Sequence, residues 1–132
     1  MAGQPKILLV EDNEEIVDIY AQVLRSHGYE VVTVSTIQAM LDTLPQFMPN
    51  VILLDIMLPG GLTGIDGLKI IRKDPAYKAE KTKVVLLTNL GETEEVRKIW
   101  QELADGYVIK AEIDPHELPE IIQSVFPASP AA

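Results

Sequence analysis

Short apolar runs punctuate the chain at regular intervals. Lys6 to Val10 reads K-I-L-L-V, and Val31 to Val34, Val51 to Leu54, Val84 to Leu87 and Tyr107 to Ile109 have the same character. Each is too short for a helix and rich in branched side chains, which suits a strand. Their apolar character is continuous rather than alternating, as in strands buried on both faces of a parallel sheet. Between them run helical stripes. Ile16, Ile19, Tyr20, Val23 and Leu24 fall on one helical face, with Gly28 following as a stop. Ile37, Met40, Leu41 and Leu44 make a second stripe, predicted to end near Pro45. Leu68, Ile70 and Ile71 mark a third, short helix; Val96, Ile99, Trp100 and Leu103 a fourth; Leu118, Ile121, Ile122 and Val125 a fifth. Strand and helix alternate throughout, which predicts an α/β domain over residues 5–126: a doubly wound, five-stranded parallel sheet with helices on both faces. Pro127 to Ala132, P-A-S-P-A-A, reads as a frayed tail or the stub of a linker.

Composition narrows the functions. The 132 residues fit one domain, and 47% hydrophobic residues suffice for a core. A net charge of -9 repels phosphate backbones and anionic membranes, so no direct nucleic-acid contact and no membrane insertion are expected. Most of that acidity is accounted for by solubility. The absence of cysteine excludes disulfides, thiolate catalysis and Cys-based zinc sites. His27 and His116 lack metal-ligand spacing and read as surface residues. No apolar run approaches the roughly 20 residues needed to span a bilayer, and Met1 to Pro5 shows no signal-peptide pattern. A soluble cytoplasmic protein is the expectation.

The strand ends carry the candidate chemistry. In a doubly wound sheet, ligands bind beyond the carboxyl ends of the strands, at the switch point. Here those ends carry Glu11 and Asp12, then Asp55, Thr88 and Lys110. In strand order 2-1-3-4-5 the first and third strands are neighbours, so three carboxylates would face one another and need a cation. Oxygen ligands with open positions favour Mg²⁺ (or Mn²⁺). Taken alone, Glu11 and Asp12 fit metal binding or helix capping equally, because Asp12 and Asn13 are both good N-cap types. Asp55 closes an apolar strand and is expected to stand exposed at the crevice. A carboxylate so placed can take a phosphoryl group as an acyl phosphate, with a metal and Lys110 neutralising charge and the Thr88 hydroxyl donating to a phosphoryl oxygen. In isolation a threonine or lysine at a strand end is more often structural.

Glu11-Asp12, D-I-M-L-P from Asp55 to Pro59, Asp66-Gly67, Thr88, Tyr107 and Lys110 together resemble the receiver domains of response regulators, over roughly Lys6 to Phe126. Any one motif is weak; all of them in this order are specific. The resemblance implies a flavodoxin-like, chemotaxis-regulator-like fold of two-component signalling. It implies that Glu11 and Asp12 hold Mg²⁺, that Asp55 is the phosphoacceptor, and that Met57 gives its backbone carbonyl to the metal. It implies that Thr88 and Lys110 bind the phosphoryl group and that Thr88 and Tyr107 form the switch. It also implies a sensor histidine kinase or histidine phosphotransfer protein as donor. A downstream protein would dock on the face formed by helix four, strand five and helix five. Such a domain catalyses its own phosphorylation and dephosphorylation but turns over no external substrate.

The pattern departs from the family in places. G-G-L-T-G-I separates Pro59 from Asp66-Gly67, a longer gap than usual, which reads as an inserted loop over residues 60–65 beside the site. Ala111 follows Lys110 where the family commonly has a cis proline, and a cis bond before a non-proline residue costs about 2.5–4 kcal/mol. Asn89 stands where a small residue is frequent, and Leu103 where a helix-ending glycine is, with Gly106 placed to supply the turn instead. Little sequence remains after the fifth helix, so the chain would signal by docking or relay the phosphoryl group, or be a receiver from a longer protein. An aspartyl phosphatase would want a second Asp where Met57 stands. A degenerate receiver that docks without phosphorylation is a further reading. A flavodoxin-like nucleotide binder lacks a Gly-rich loop after the first strand.

Overall fold

Alternate residues of a strand project to opposite faces of its sheet, and here both faces are apolar. In the computed structural model, which describes residues 4–89 and 93–127 (without the side chains of residues 95 and 96), the strands are β1 (Lys6–Val10), β2 (Glu30–Val34), β3 (Val51–Asp55), β4 (Lys83–Thr88) and β5 (Gly106–Ile109). They form one parallel sheet in the order β2-β1-β3-β4-β5. The helices are α1 (Glu14–Ser26), α2 (Ile37–Phe47), α3 (Gly64–Lys73), α4 (Glu94–Leu103) and α5 (Leu118–Val125). Short 3₁₀ turns lie at Pro75–Tyr77 and Pro115–Glu117.

The strands split their side chains between two cores. Ile7, Leu9, Leu53 and Leu87 pack against Tyr20 and Leu24 of α1 and Leu118 and Ile122 of α5. Leu8, Val10, Ile52, Leu54 and Leu86 pack against Met40 and Leu44 of α2 and Leu68 and Ile71 of α3. The α4 residues Ile99, Trp100 and Leu103 cover the edge of the second core. The Val96 side chain of the same stripe lies outside the described residues, as do residues 128–132 of the Pro/Ala tail.

Local chemistry sets the helix ends. The side chains of Asn13, Thr36 and Thr63 accept from the backbone N–H groups of Ile16, Ala39 and Asp66, capping α1, α2 and α3. Gly28 closes α1 as expected. Its φ is +92°, its N–H reaches Arg25 O, the Tyr29 N–H reaches Leu24 O, and the buried Tyr29 and Leu24 rejoin the core. The second helix differs from expectation, because Pro45 lies inside it and the helix runs on to Phe47. A proline removes a hydrogen bond, but tertiary contacts hold the last turn. Phe47 packs on the core, its ring lies under Lys6 Nζ at 5.4 Å, and its carbonyl accepts from the same ammonium.

Leu103, at a position where glycine was expected, ends α4 by other means. The Arg72 guanidinium donates from Nε to Leu103 O at 2.8 Å, from Nη1 to Thr82 O at 2.7 Å and from Nη2 to Asp105 Oδ2 at 3.2 Å. Asp105 Oδ2 also accepts from the Val84 N–H. One arginine thereby ties the ends of α3 and α4 to the start of β4.

Candidate phosphoryl and metal site

Strand register assembles the site. Val10 lies opposite Leu54, so Glu11 and Asp55 emerge side by side at the carboxyl ends of β1 and β3. Thr88 ends β4 opposite Ile109, and Lys110 follows β5, its N–H bonded to Thr88 O at 2.7 Å. Residues scattered from 11 to 110 thus meet at one sheet end. Carboxylate oxygens of Glu11, Asp12 and Asp55 all lie within 4.8 Å of one another.

Asp55 is not exposed as expected. It is 2% exposed and Glu11 is 1% exposed, while Asp12 lies at the surface. β3 is flanked on both sides by strands, and the first turn of α3 rests on the Asp55 carbonyl. The carboxylate is therefore buried at the strand end rather than exposed at the crevice. It is compensated there. Lys110 Nζ lies 3.2 Å from Asp55 Oδ2 and 2.7 Å from Glu11 Oε1, and the Met57 N–H donates to Asp55 Oδ1 at 3.1 Å. The other Glu11 oxygen accepts from the N–H groups of Asp12 and Asn13 at 2.9 and 3.3 Å. Buried charges without such partners would be strongly disfavoured.

Titration behaviour follows from this packing. Burial and then the neighbouring Asp55 push the Glu11 carboxyl above its ordinary value, against the lowering pull of Lys110. Burial draws Lys110 down, but Glu11 and Asp55 outweigh it and hold the ammonium above its ordinary value. Tyr20 of α1 is also raised, by burial first, and it feels the charges of Lys110, Glu11 and Asp55.

Of the two capping candidates for α1, Asn13 takes the role, so Asp12 is left at the surface with its carboxylate toward the other two. A cleft of 580 Å³ opens beside it, between the start of α1, the end of β2 and Pro59. Met57 is 67% exposed. Tyr107 is half-buried on β5, its ring stacked on Trp100.

The loop after β3 is shorter than its sequence suggested. Gly64 and Ile65 already belong to α3, and Thr63 and Asp66 form a reciprocal capping box. Residues 60–65 are thus not all loop; only the stretch up to the Thr63 cap connects Pro59 to the helix. Gly64 makes the close approach: a Cβ there would strike the Asp55 carbonyl oxygen and lie 2.9 Å from Ile56 Cα. Asp66 and Gly67 serve the first helical turn instead. The T-x-x-D spacing of the capping box was the signal available in the sequence. The Lys110–Ala111 peptide is trans.

A model of the response regulator receiver domain matches residues 7–123. The chain belongs to the response regulator receiver family. The phosphate regulon transcriptional regulatory protein PhoB of Klebsiella pneumoniae is 32% identical over 120 residues, which is 91% of this chain and 51% of that protein. The DNA-binding response regulator MtrA of Mycolicibacterium smegmatis is 31% identical over 105 residues, covering 80% of this chain and 43% of MtrA. The chain therefore spans about half the length of the curated relatives it matches. Among solved structures, a CheY-like receiver domain protein from Methanospirillum hungatei superposes with a TM-score of 0.80 at 28% identity, covering 92% of this chain and 93% of that one. The receiver domain of a Pseudomonas aeruginosa sensor histidine kinase, with a magnesium ion coordinated in its active-site cleft, also gives 0.80 at 28% identity over 96% of this receiver and 100% of that one. The five-stranded CheY-like fold is thereby shown. The expectation of no nucleic-acid contact finds no support here, since these relatives are named as transcriptional and DNA-binding regulators. Among the described residues, no helix is long and apolar enough to cross a membrane.

Proposed function

We propose that this receiver takes a phosphoryl group on Asp55 from a phosphohistidine of a sensor histidine kinase or histidine phosphotransfer protein, and that the modification resets the α4-β5-α5 face for a downstream protein. The observation that carries the reading is the buried Asp55 carboxylate, held against Lys110 and within 4.8 Å of Glu11 and Asp12 oxygens.

The donor set fits a hard divalent cation. Three carboxylates converge, two of them buried, with the Lys110 ammonium among them. Mg²⁺ or Mn²⁺ would be held by Asp12 and Asp55, with Glu11 and the Met57 carbonyl completing the set, and would neutralise charge on the phosphoryl oxygens. Both Glu11 oxygens are already engaged, one by Lys110 and one by the Asp12 and Asn13 amides. Glu11 therefore also anchors Lys110 and the loop that presents Asp12.

In transfer, an Asp55 oxygen attacks phosphorus, the P–N bond to the donor imidazole breaks, and the imidazole leaves with the bond's electron pair. Lys110 swings from carboxylate to phosphoryl oxygen, keeping its positive charge in the site. Thr88 donates its hydroxyl to another phosphoryl oxygen, and Tyr107 on the adjacent strand follows the change. The receiver surface itself contacts protein rather than DNA, because its net charge of -9 opposes a phosphate backbone.

Intact mass after incubation with acetyl phosphate, with and without Mg²⁺, tests this beside Asp55→Asn. One phosphoryl-sized gain that needs both the metal and Asp55 is expected. No gain in the folded protein, with a short-lived adduct excluded by beryllofluoride trapping, refutes it and leaves a phosphorylation-independent docking domain.

A further inference from the structure

Trp100 is the chain's one tryptophan. Its ring on α4 lies almost parallel to that of Tyr107 on β5, with centroids 5.6 Å apart and planes inclined by 11°. Both rings are half-buried and join Ile99, Leu103 and Ala104 on the edge of the second core. The Tyr107 hydroxyl oxygen is itself buried. One turn further along, Arg72 holds the Leu103 carbonyl at the end of α4.

We propose that the Trp100–Tyr107 stack is a latch that joins α4 to β5, with Trp100 the positioning residue for Tyr107. This rests on reading Tyr107 as the switch aromatic. The geometry leaves few ways for either element to move alone. Rotating Tyr107 about χ1 takes its ring off the indole face. Shifting the middle of α4 either drags the tyrosine or abandons it. Two packings of the ring pair thus become two discrete states of the α4-β5-α5 face. An aromatic stack of this kind favours the observed packing by about three- to tenfold over an unstacked one.

The test uses the full chain, wild type beside Trp100→Ala, Trp100→Phe and Tyr107→Leu, each checked for folding by circular dichroism. The position of Tyr107 is read from NMR signals of its labelled ring, without ligand and with Mg²⁺ and beryllofluoride. In the ligand-free protein, Trp100→Ala is expected to shift Tyr107 away from its wild-type position by about three- to tenfold in population, and Trp100→Phe to restore most of it. Should Trp100→Ala fail to fold, Trp100→Leu keeps apolar volume without a ring. In the wild type, beryllofluoride with Mg²⁺ is expected to change Trp100 fluorescence. In Tyr107→Leu that change disappears although acetyl phosphate still adds its mass. Tyr107 signals identical in wild type and Trp100→Ala overturn the latch. The ligand-free comparison decides this whether or not Asp55 is phosphorylated, and loss of the mass gain alone counts against the phosphoacceptor reading instead.

Discussion

Replacing Gly64 with alanine drives a methyl group into the Asp55 carbonyl oxygen and to within 2.9 Å of Ile56 Cα. Both are backbone atoms of the segment that carries Asp55, so neither yields without moving the candidate site. Overpacking of this kind costs about 1–3 kcal/mol. The opposing gain in helix propensity, about 1 kcal/mol at a helix interior, is only fractional at the first residue of α3. The expected net destabilisation is about 1–3 kcal/mol, a fall of roughly 3–15 °C in Tm for a domain of this size. Gly67→Ala is the control. Its Cβ meets side chains rather than backbone, Ile37 Cδ1 at 2.8 Å, Met40 Cε at 3.0 Å and Ile37 Cγ2 at 3.2 Å, and it stands inside the helix, where alanine is favoured. It is expected to stay within about 1 kcal/mol of wild type. Gly61→Ala separates space from conformation: nothing lies within 4 Å, but φ is +92°, so strain alone costs about 1–2 kcal/mol. Urea unfolding followed by circular dichroism at constant m-value measures all three. If Gly64→Ala is as stable as wild type, or Gly67→Ala is the more damaging, the close approach of α3 to Asp55 is wrong.

Lys110→Met leaves Glu11 buried without its cation, for an expected loss of about 3–5 kcal/mol; adding Glu11→Gln should recover part of it, and additive losses in the double-mutant cycle would deny the coupling. Asn13→Ala is expected to cost about 0.5–2 kcal/mol as a lost cap, whereas Asp12→Ala should cost little stability yet abolish the Mg²⁺ dependence of phosphorylation; equal unfolding midpoints for the two would contradict the assignment. The exposed Asp66 carboxyl is held below its ordinary value of 3.8, first by the Thr63 N–H and then by its hydroxyl. Its contribution to α3 is therefore present above pH 3.8 and lost as pH falls through the lower folded value. A carboxyl NMR titration of Asp66 with a midpoint at or above 3.8 would remove that claim.

Strand and helix order was legible because the apolar runs are buried on both faces and the helical stripes on one. The runs at Val51 and Val84 fell within a residue or so of the observed strands. Legibility failed where a distant contact overrode a local rule. Pro45 should have ended α2, but Lys6 holds Phe47 from another element. The glycine-rich stretch after Pro59 looked like loop throughout because Asp66-Gly67 was matched by residue type, while the close approach of α3 selects Gly64. Asp55 was expected at the crevice surface, since nothing local to V-I-L-L-D shows that flanking strands and a helix start will cover it.

The sequence by itself determined the alternation of elements, hence the parallel sheet, and which chemical groups stand at its strand ends. These are consequences of local periodicity and of residues near one another in the chain. The tertiary structure alone decided what those groups do to each other. The Lys110 ammonium reaches Glu11 across 99 residues, Arg72 supplies the end of α4 in place of glycine, and Trp100 meets the Tyr107 ring. Burial, ion pairing and stacking depend on distances between elements, and strand register and helix packing set those distances.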